Sequence, residues 1–262
     1  MRSAARAAAP SASGRDAFAA RAFATDVADL AVPIDAARPV ASTDALLTGC
    51  LLDASGRHPE VDAARGWTVA SRLDALAAIR EAGGARAEWV TFTCEAPGCD
   101  ERFEAEIDLA VCRARSGAST VEFAMAGGEL RARLPTGADQ ARWQAERTPL
   151  HLVAASLLET GAPADPAVID ALDTALAEAD PARELLLELV CPACAAPQRR
   201  AVDMEAQLLG SFAREQQALL RKIARLARAF HWAEADIARM PAWRRDWYLG
   251  RLDAEGFDEG RP

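Results

Sequence analysis

The chain has 262 residues, enough to bury a substantial core in one or two domains. Apolar residues make up 51% and charged residues 26%, the balance of an ordinary globular protein, and the alanine content favours helices packed through small side chains. A net charge of −9 argues against an electrostatic trap for nucleic acid, and no apolar run reaches the length of a bilayer span.

In chain order, residues 1–40 are rich in Ala and Arg, offer little for a core, and read as a disordered tail. Arg2, Arg6, Arg15 and Arg21 break its alanine stretches, so it lacks a secretory apolar segment and the expected compartment is the cytoplasm. Residues 41–86 read as N-terminal helices. One covers 43–52 behind the cap-like cluster Ser42-Thr43-Asp44, and one covers 68–82 before the stop at Gly83-Gly84, with His58-Pro59 in the loop between.

Residues 87–203 switch to strand character. Strands are expected at 88–93 and 102–109, then a hairpin of 120–126 and 129–134 turning at Gly127-Gly128. Helices follow near 138–146, 149–159 and 166–179, and strands at 183–190 and 198–202. Residues 204–253 read as helical. Leu209, Phe212, Gln216, Leu219, Ile223, Leu226 and Phe230 alternate steps of three and four, a heptad seam that either packs internally or takes a coiled-coil partner. A short helix over 233–240 and a last one opened by Pro241 complete the segment, and residues 254–262 form an acidic tail.

Two cysteine pairs carry the chemistry. Cys94-Glu95-Ala96-Pro97-Gly98-Cys99 is C-x4-C and Cys191-Pro192-Ala193-Cys194 is C-x2-C. In a reducing compartment such pairs signal metal rather than disulfide, and tight turns between strands present two thiolates together, as tetrahedral zinc requires. The flanks repeat: strand, knuckle, strand, then an Asp nine residues after the second cysteine (Asp108, Asp203), then an apolar residue (Leu109, Met204). The expected fold is therefore α+β: split zinc-ribbon-like hairpins, a helical insertion, and a long C-terminal helix followed by a helical hairpin. Ordinary ribbons separate their pairs by roughly 15–20 residues, whereas about ninety lie between Cys99 and Cys191 here, so the insertion must return the chain to its start. Cys50 and Cys112 read as small core residues, with Cys112 the one substitute ligand. Four thiolates leave zinc no open position, so the expected role of Cys94, Cys99, Cys191 and Cys194 is structural.

The long helix carries Arg214, Arg221, Arg225 and Arg228 as one stripe, read as a solvated face or a contact for an acidic protein. Beyond it, Phe230-His231-Trp232-Ala233-Glu234-Ala235-Asp236-Ile237 leads through Pro241 to Trp243-Arg244-Arg245-Asp246-Trp247-Tyr248-Leu249. This succession resembles the C-terminal pattern of the T4-like phage baseplate protein family, also found in contractile injection systems. Ala233 stands where that pattern usually has Ser. The step Leu134-Pro135-Thr136-Gly137-Ala138-Asp139 and the Cys-Pro-x-Cys before a leucine-rich helix are similar to the same group, so the likeness runs from about residue 88 onward. It implies a structural or assembly protein whose partners are other baseplate or tail-assembly proteins, inside a tail-like particle. Trp232, Ile237, Met240, Trp243, Trp247, Tyr248 and Leu249 are expected to pack a helical hairpin, with Arg244 and Arg245 pointing outwards. Arg221, Arg225, Arg228, Trp243, Arg244, Arg245 and Tyr248 are the candidate partner contacts, since aromatics and arginines dominate interface hot spots.

The alternative is a zinc-ribbon nucleic-acid-binding or transcription-associated adaptor, favoured by the knuckles and the arginine stripe. The sequence has no Gly-rich phosphate loop, no His-Glu-x-x-His and no Gly-x-Ser-x-Gly, so nothing in it calls for an enzyme or a small-molecule substrate.

Overall fold

The computed structural model describes residues 14–25, 27–35, 37–113, 119–125, 128–159, 165–180 and 185–254. It mixes helices with small antiparallel hairpins, an α+β fold. Residues 14–25 and 27–35, expected in a disordered tail, are instead folded onto the core. Strand β1 (Phe18–Ala20) pairs with a later strand, and Phe23 is buried edge-on against Phe212 with ring centroids 5.4 Å apart. Arg21 forks onto the buried Asp29 at 2.6 and 2.9 Å. A bidentate pair and one aromatic anchor hold a segment that average composition marks as coreless. Residues 1–13 lie outside the described residues.

Helix α1 (Pro39–Cys50) starts at Pro39, whose fixed φ suits a first helical position, and not behind Ser42-Thr43-Asp44. Those three residues are buried within the helix. Asp44 accepts from Arg72 at 2.8 Å and from Arg65 at 2.7 Å, and Thr43 donates to Glu205. Strand β2 (Leu51–Asp53) is the partner of β1; the short α2 (Val61–Arg65) and then α3 (Val69–Ala82), capped by Thr68, follow.

β3 (Ala87–Thr93) and β4 (Arg102–Asp108) form the first knuckle hairpin, in register from Ala87↔Asp108 to Thr93↔Arg102. The insertion then supplies β5 (Thr120–Met125), β6 (Gly128–Arg133), α4 (Gly137–Glu146), α5 (Leu150–Leu157) and α6 (Pro166–Ala179). Gly128, expected in the turn, lies instead in β6 opposite Met125, and Gly127 is outside the described residues. The insertion has a core of its own around Ala132, Leu134, Leu157, Leu172 and Leu176. That independence lets ninety residues intervene without disturbing the knuckles.

The Leu134–Asp139 step fastens the insertion to α3. Pro135 accepts from the Val69 amide at 2.9 Å, Thr136 bridges Thr68, and Thr136 and Asp139 form a capping box for α4. Gly137 abuts the Arg72 guanidinium, where a Cβ would come within 2.6 Å of it. Arg133 and the Thr136 amide also reach Asp139, and these partners outweigh its burial and hold its carboxyl down at about 2.

β7 (Leu185–Val190) and β8 (Pro197–Val202) form the second knuckle hairpin and lead into α7 (Met204–Phe230). The heptad seam of α7 is taken up inside the molecule. Leu209 and Phe212 join the first core with Leu46, Leu76 and Ile79. Gln216 donates to the Asp29 and Val32 carbonyls at 2.8 and 2.9 Å, which grips the N-terminal segment. Leu219, Ile223 and Leu226 pack on α8 (Glu234–Arg239) and α9 (Ala242–Ala254), through Ile237, Leu249 and Leu252. Among the described residues no helix is long and apolar enough to cross a membrane.

Candidate metal centre

The two knuckle hairpins face each other across the first core. Phe92 and Ile107 of one and Val202 of the other are buried there, with Phe103, Leu187 and Leu189 packed against them. Each hairpin is a separate two-stranded sheet, so among the described residues no strand ladder joins the pair. Their union falls to side chains. Gln207 on α7 donates to the Trp89 carbonyl at 3.1 Å. Arg200 on β8 pairs with Glu95 and lies 5.7 Å over the Phe92 ring.

At the tips the four knuckle cysteines converge, their sulfurs all within 4.8 Å of one another. Cys94 and Cys194 are 3.7 Å apart and Cys99 and Cys191 are 3.9 Å apart, each contact crossing between hairpins. A tetrahedral ion with bonds of about 2.3 Å places neighbouring sulfurs about 3.8 Å apart. A disulfide needs about 2.0 Å, and all four cysteines are free thiols. The donor set and its edges fit a metal ion held by Cys94, Cys99, Cys191 and Cys194.

The backbone builds each knuckle. The Cys94 amide donates to the Glu101 carbonyl at 2.8 Å and the Cys191 amide to the Ala196 carbonyl at 3.0 Å, closing each turn at its base. Gly98 and Ala195 take positive φ values of 78° and 58°. Glycine adopts that conformation freely; alanine is strained in it.

Amide donors also prepare the sulfurs. The Cys194 amide and then the Ala193 amide, against the effect of burial, hold the Cys191 thiol down at about 7. The Ala96 amide donates to Cys94 at 3.5 Å and the Gln198 side-chain amide donates to the same sulfur at 2.7 Å. At Cys99 the Glu101 amide pulls down but is outweighed by Cys194, burial and the other thiols, leaving it pushed up to about 12. Four thiols this close resist shedding their protons together, and a bound dication removes that resistance. Cys94 and Cys191 are buried, Cys99 is half-buried and Cys194 is exposed.

The shared Asp has a definite role in both repeats. Asp108 accepts from the Ala110 amide and starts a 3₁₀ turn at Leu109–Cys112, while Asp203 accepts from the Ala206 amide and starts α7. The apolar residues that follow, Leu109 and Met204, are both fully buried. Cys50 and Cys112 are core residues away from the cluster, and burial pushes each thiol up to about 12.

The candidate partner contacts divide. Arg221 and Arg228 are exposed, whereas Arg225 reaches Asp253 at 2.5 Å. Arg244 is exposed and lies over the Tyr248 ring, and Tyr248 belongs to an aromatic cluster with Phe230, Trp232 and Trp247. Arg245, expected to point outwards, is buried at 3% exposure and donates to the Ala238 and Met240 carbonyls. It closes the open carbonyl end of α8 and locks the α8–α9 elbow. Trp243 and Trp247, expected in the core, are 70% and 58% exposed because Arg245, Leu249 and Leu252 occupy the inward face of α9.

Sequence reasoning passed over Gln198 and Arg200, which lie in an ordinary-looking strand. It also passed over the buried Glu88, which accepts from Arg80 and Ser211 and ties β3 to α3 and α7. No protein-family model, curated protein or solved structure matches the chain.

Proposed function

We propose that the protein is a structural or assembly component of a contractile phage-tail-like baseplate, with its split zinc-ribbon-like hairpins fixed by one structural zinc ion. The observation that carries the zinc reading is the closed set of four converging cysteine sulfurs. Four thiolates fill a tetrahedral shell, so the ion has no position for water or substrate and serves as a scaffold. All-sulfur tetrahedral donors suit zinc over the hard cations.

The baseplate reading rests on the C-terminal pattern, and the roles of its residues are consistent with a scaffold. Ile237 and Leu249 fill the third core, Arg245 locks the elbow, and Trp232 and Tyr248 meet edge-on. The Leu134–Asp139 step likewise works as a fastening. A basic stripe on a zinc-bearing fold would also serve a nucleic-acid adaptor, and the exposed Arg221 and Arg228 are what favour that second reading.

The test is to tag the chain in its own cell and purify contractile tail-like particles. The proposal expects it to co-sediment with sheath and baseplate proteins, and its deletion to leave tubes or sheaths without a finished base. Normal particles after deletion would contradict the baseplate role. Binding to duplex DNA that weakens steeply with salt would favour the adaptor.

A further inference from the structure

The C-terminal helices differ in charge from the rest of the chain. Residues 204–253 hold nine Lys or Arg against six Asp or Glu, a net of +3 in a chain of −9, so the remainder carries −12. The structure sharpens this on α9, whose only two acids are Asp246 and Asp253. Both turn towards α7, where Lys222 takes Asp246 at 2.8 Å and Arg225 takes Asp253 at 2.5 Å. The outward face of α9 therefore keeps no free carboxylate.

That face presents Trp243 and Trp247 one helical turn apart, 70% and 58% exposed, with exposed Arg244 between them in sequence. Arg244 has no carboxylate partner among the described residues; its contact is the Tyr248 ring and hydroxyl. Trp247 is backed by a run of rings. Trp247 meets Tyr248 edge-on at 5.0 Å, Tyr248 meets Trp232 at 4.9 Å, and Trp232 stacks on Phe230 at 4.6 Å. Arg245 fixes the elbow beneath. Large exposed aromatics beside an arginine with no carboxylate partner among the described residues are what an interface hot spot is made of, and two indoles exposed to this degree are costly to leave in water.

From this we infer that the outward face of α9, built from Trp243, Arg244 and Trp247, docks an acidic segment of another protein that carries aliphatic side chains. The indoles take the aliphatic groups and Arg244 takes a carboxylate, forming the charge-assisted bond it lacks among the described residues. Phosphate polymers and anionic bilayers are the poorer occupants, because the −12 carried outside residues 204–253 repels an extended polyanion, whereas a short acidic segment engages Arg244 alone. The inference stands on this face alone and holds or fails separately from the baseplate reading.

The test titrates the full zinc-loaded chain, followed by tryptophan emission and calorimetry, with four probes: a Glu/Leu helical peptide, its Lys/Leu counterpart, a duplex DNA oligonucleotide, and phosphatidylserine–phosphatidylcholine vesicles. The acidic peptide is expected to bind and to shift the tryptophan emission. Trp243→Ser with Trp247→Ser, and separately Arg244→Glu, should each weaken it at least about tenfold. Leu150→Ser, on an exposed residue of the insertion, should leave it unchanged. Unaltered metal content and circular dichroism establish that the variants fold. No binding of the acidic peptide, equal binding by the α9 variants, or preference for the basic peptide, DNA or vesicles would each overturn the inference.

Discussion

The two knuckle hairpins follow one plan and meet different demands. Both run strand, two cysteines, strand, capping Asp, buried apolar residue. The first has the roomier C-x4-C turn with glycine at its left-handed position and ends in a four-residue 3₁₀ turn. The second has the tighter C-x2-C turn, puts alanine in the left-handed position, and launches the 27-residue α7. The first closes locally, whereas the second connects the cysteine cluster directly to the helix on which α8 and α9 pack. Equivalent residues in the two repeats should therefore differ in consequence.

The largest effect falls on the sulfurs, where the repeats act as a unit. Cys191→Ser should lose the metal and separate both hairpins, a loss of at least several kcal/mol, given that structural zinc contributes about 10–16 kcal/mol in small peptides. Cys50→Ser, equally buried but remote, should cost about 1–3 kcal/mol and keep the metal. Denaturant titration with metal analysis separates the two, and equal small costs would refute the ligand assignment. Next come the buried residues after each Asp. Leu109→Ala and Met204→Ala should each cost about 2–5 kcal/mol, but only the second should also loosen α7, read by hydrogen exchange along that helix.

The caps follow. Asp203→Ala should cost about 1 kcal/mol as the loss of a helix N-cap, and Asp108→Ala should cost less because it starts a single turn. Equal costs would mean that α7 gains nothing special from its repeat. The left-handed positions give effects of opposite sign in the two knuckles. Ala195→Gly should stabilise and Gly98→Ala destabilise, each by about 1 kcal/mol, because both residues hold a positive φ that glycine adopts freely and alanine does not. Thermal melts of the two variants decide it.

The cysteine pairs, the three hairpins and α7 were legible in the sequence because each has a local signature: knuckle spacing, strand composition, and three-four periodicity. The Asp108/Asp203 repeat was also legible, though its capping role lies in the backbone amides of Ala110 and Ala206 that each carboxylate meets. What escaped was long-range pairing. Nothing near Asp44 announces Arg72, and nothing near Arg21 marks residues 14–25 and 27–35 as folded, since a bidentate ion pair leaves no periodic trace. The C-terminal helix misled for a related reason. Trp243 and Trp247 have the apolar character of a core face, yet the inward position went to Arg245, whose guanidinium satisfies carbonyls that no aromatic could. A hydrophobic pattern ranks side chains by their aversion to water and does not register an unmet acceptor waiting across a turn.

The central claim is that Cys94, Cys99, Cys191 and Cys194 hold one structural zinc. Its most direct test is elemental analysis of the purified chain before and after a strong chelator, with the fold followed by circular dichroism. The account predicts about one zinc per chain and loss of the hairpin region on its removal. A metal-free chain that is fully folded would contradict it.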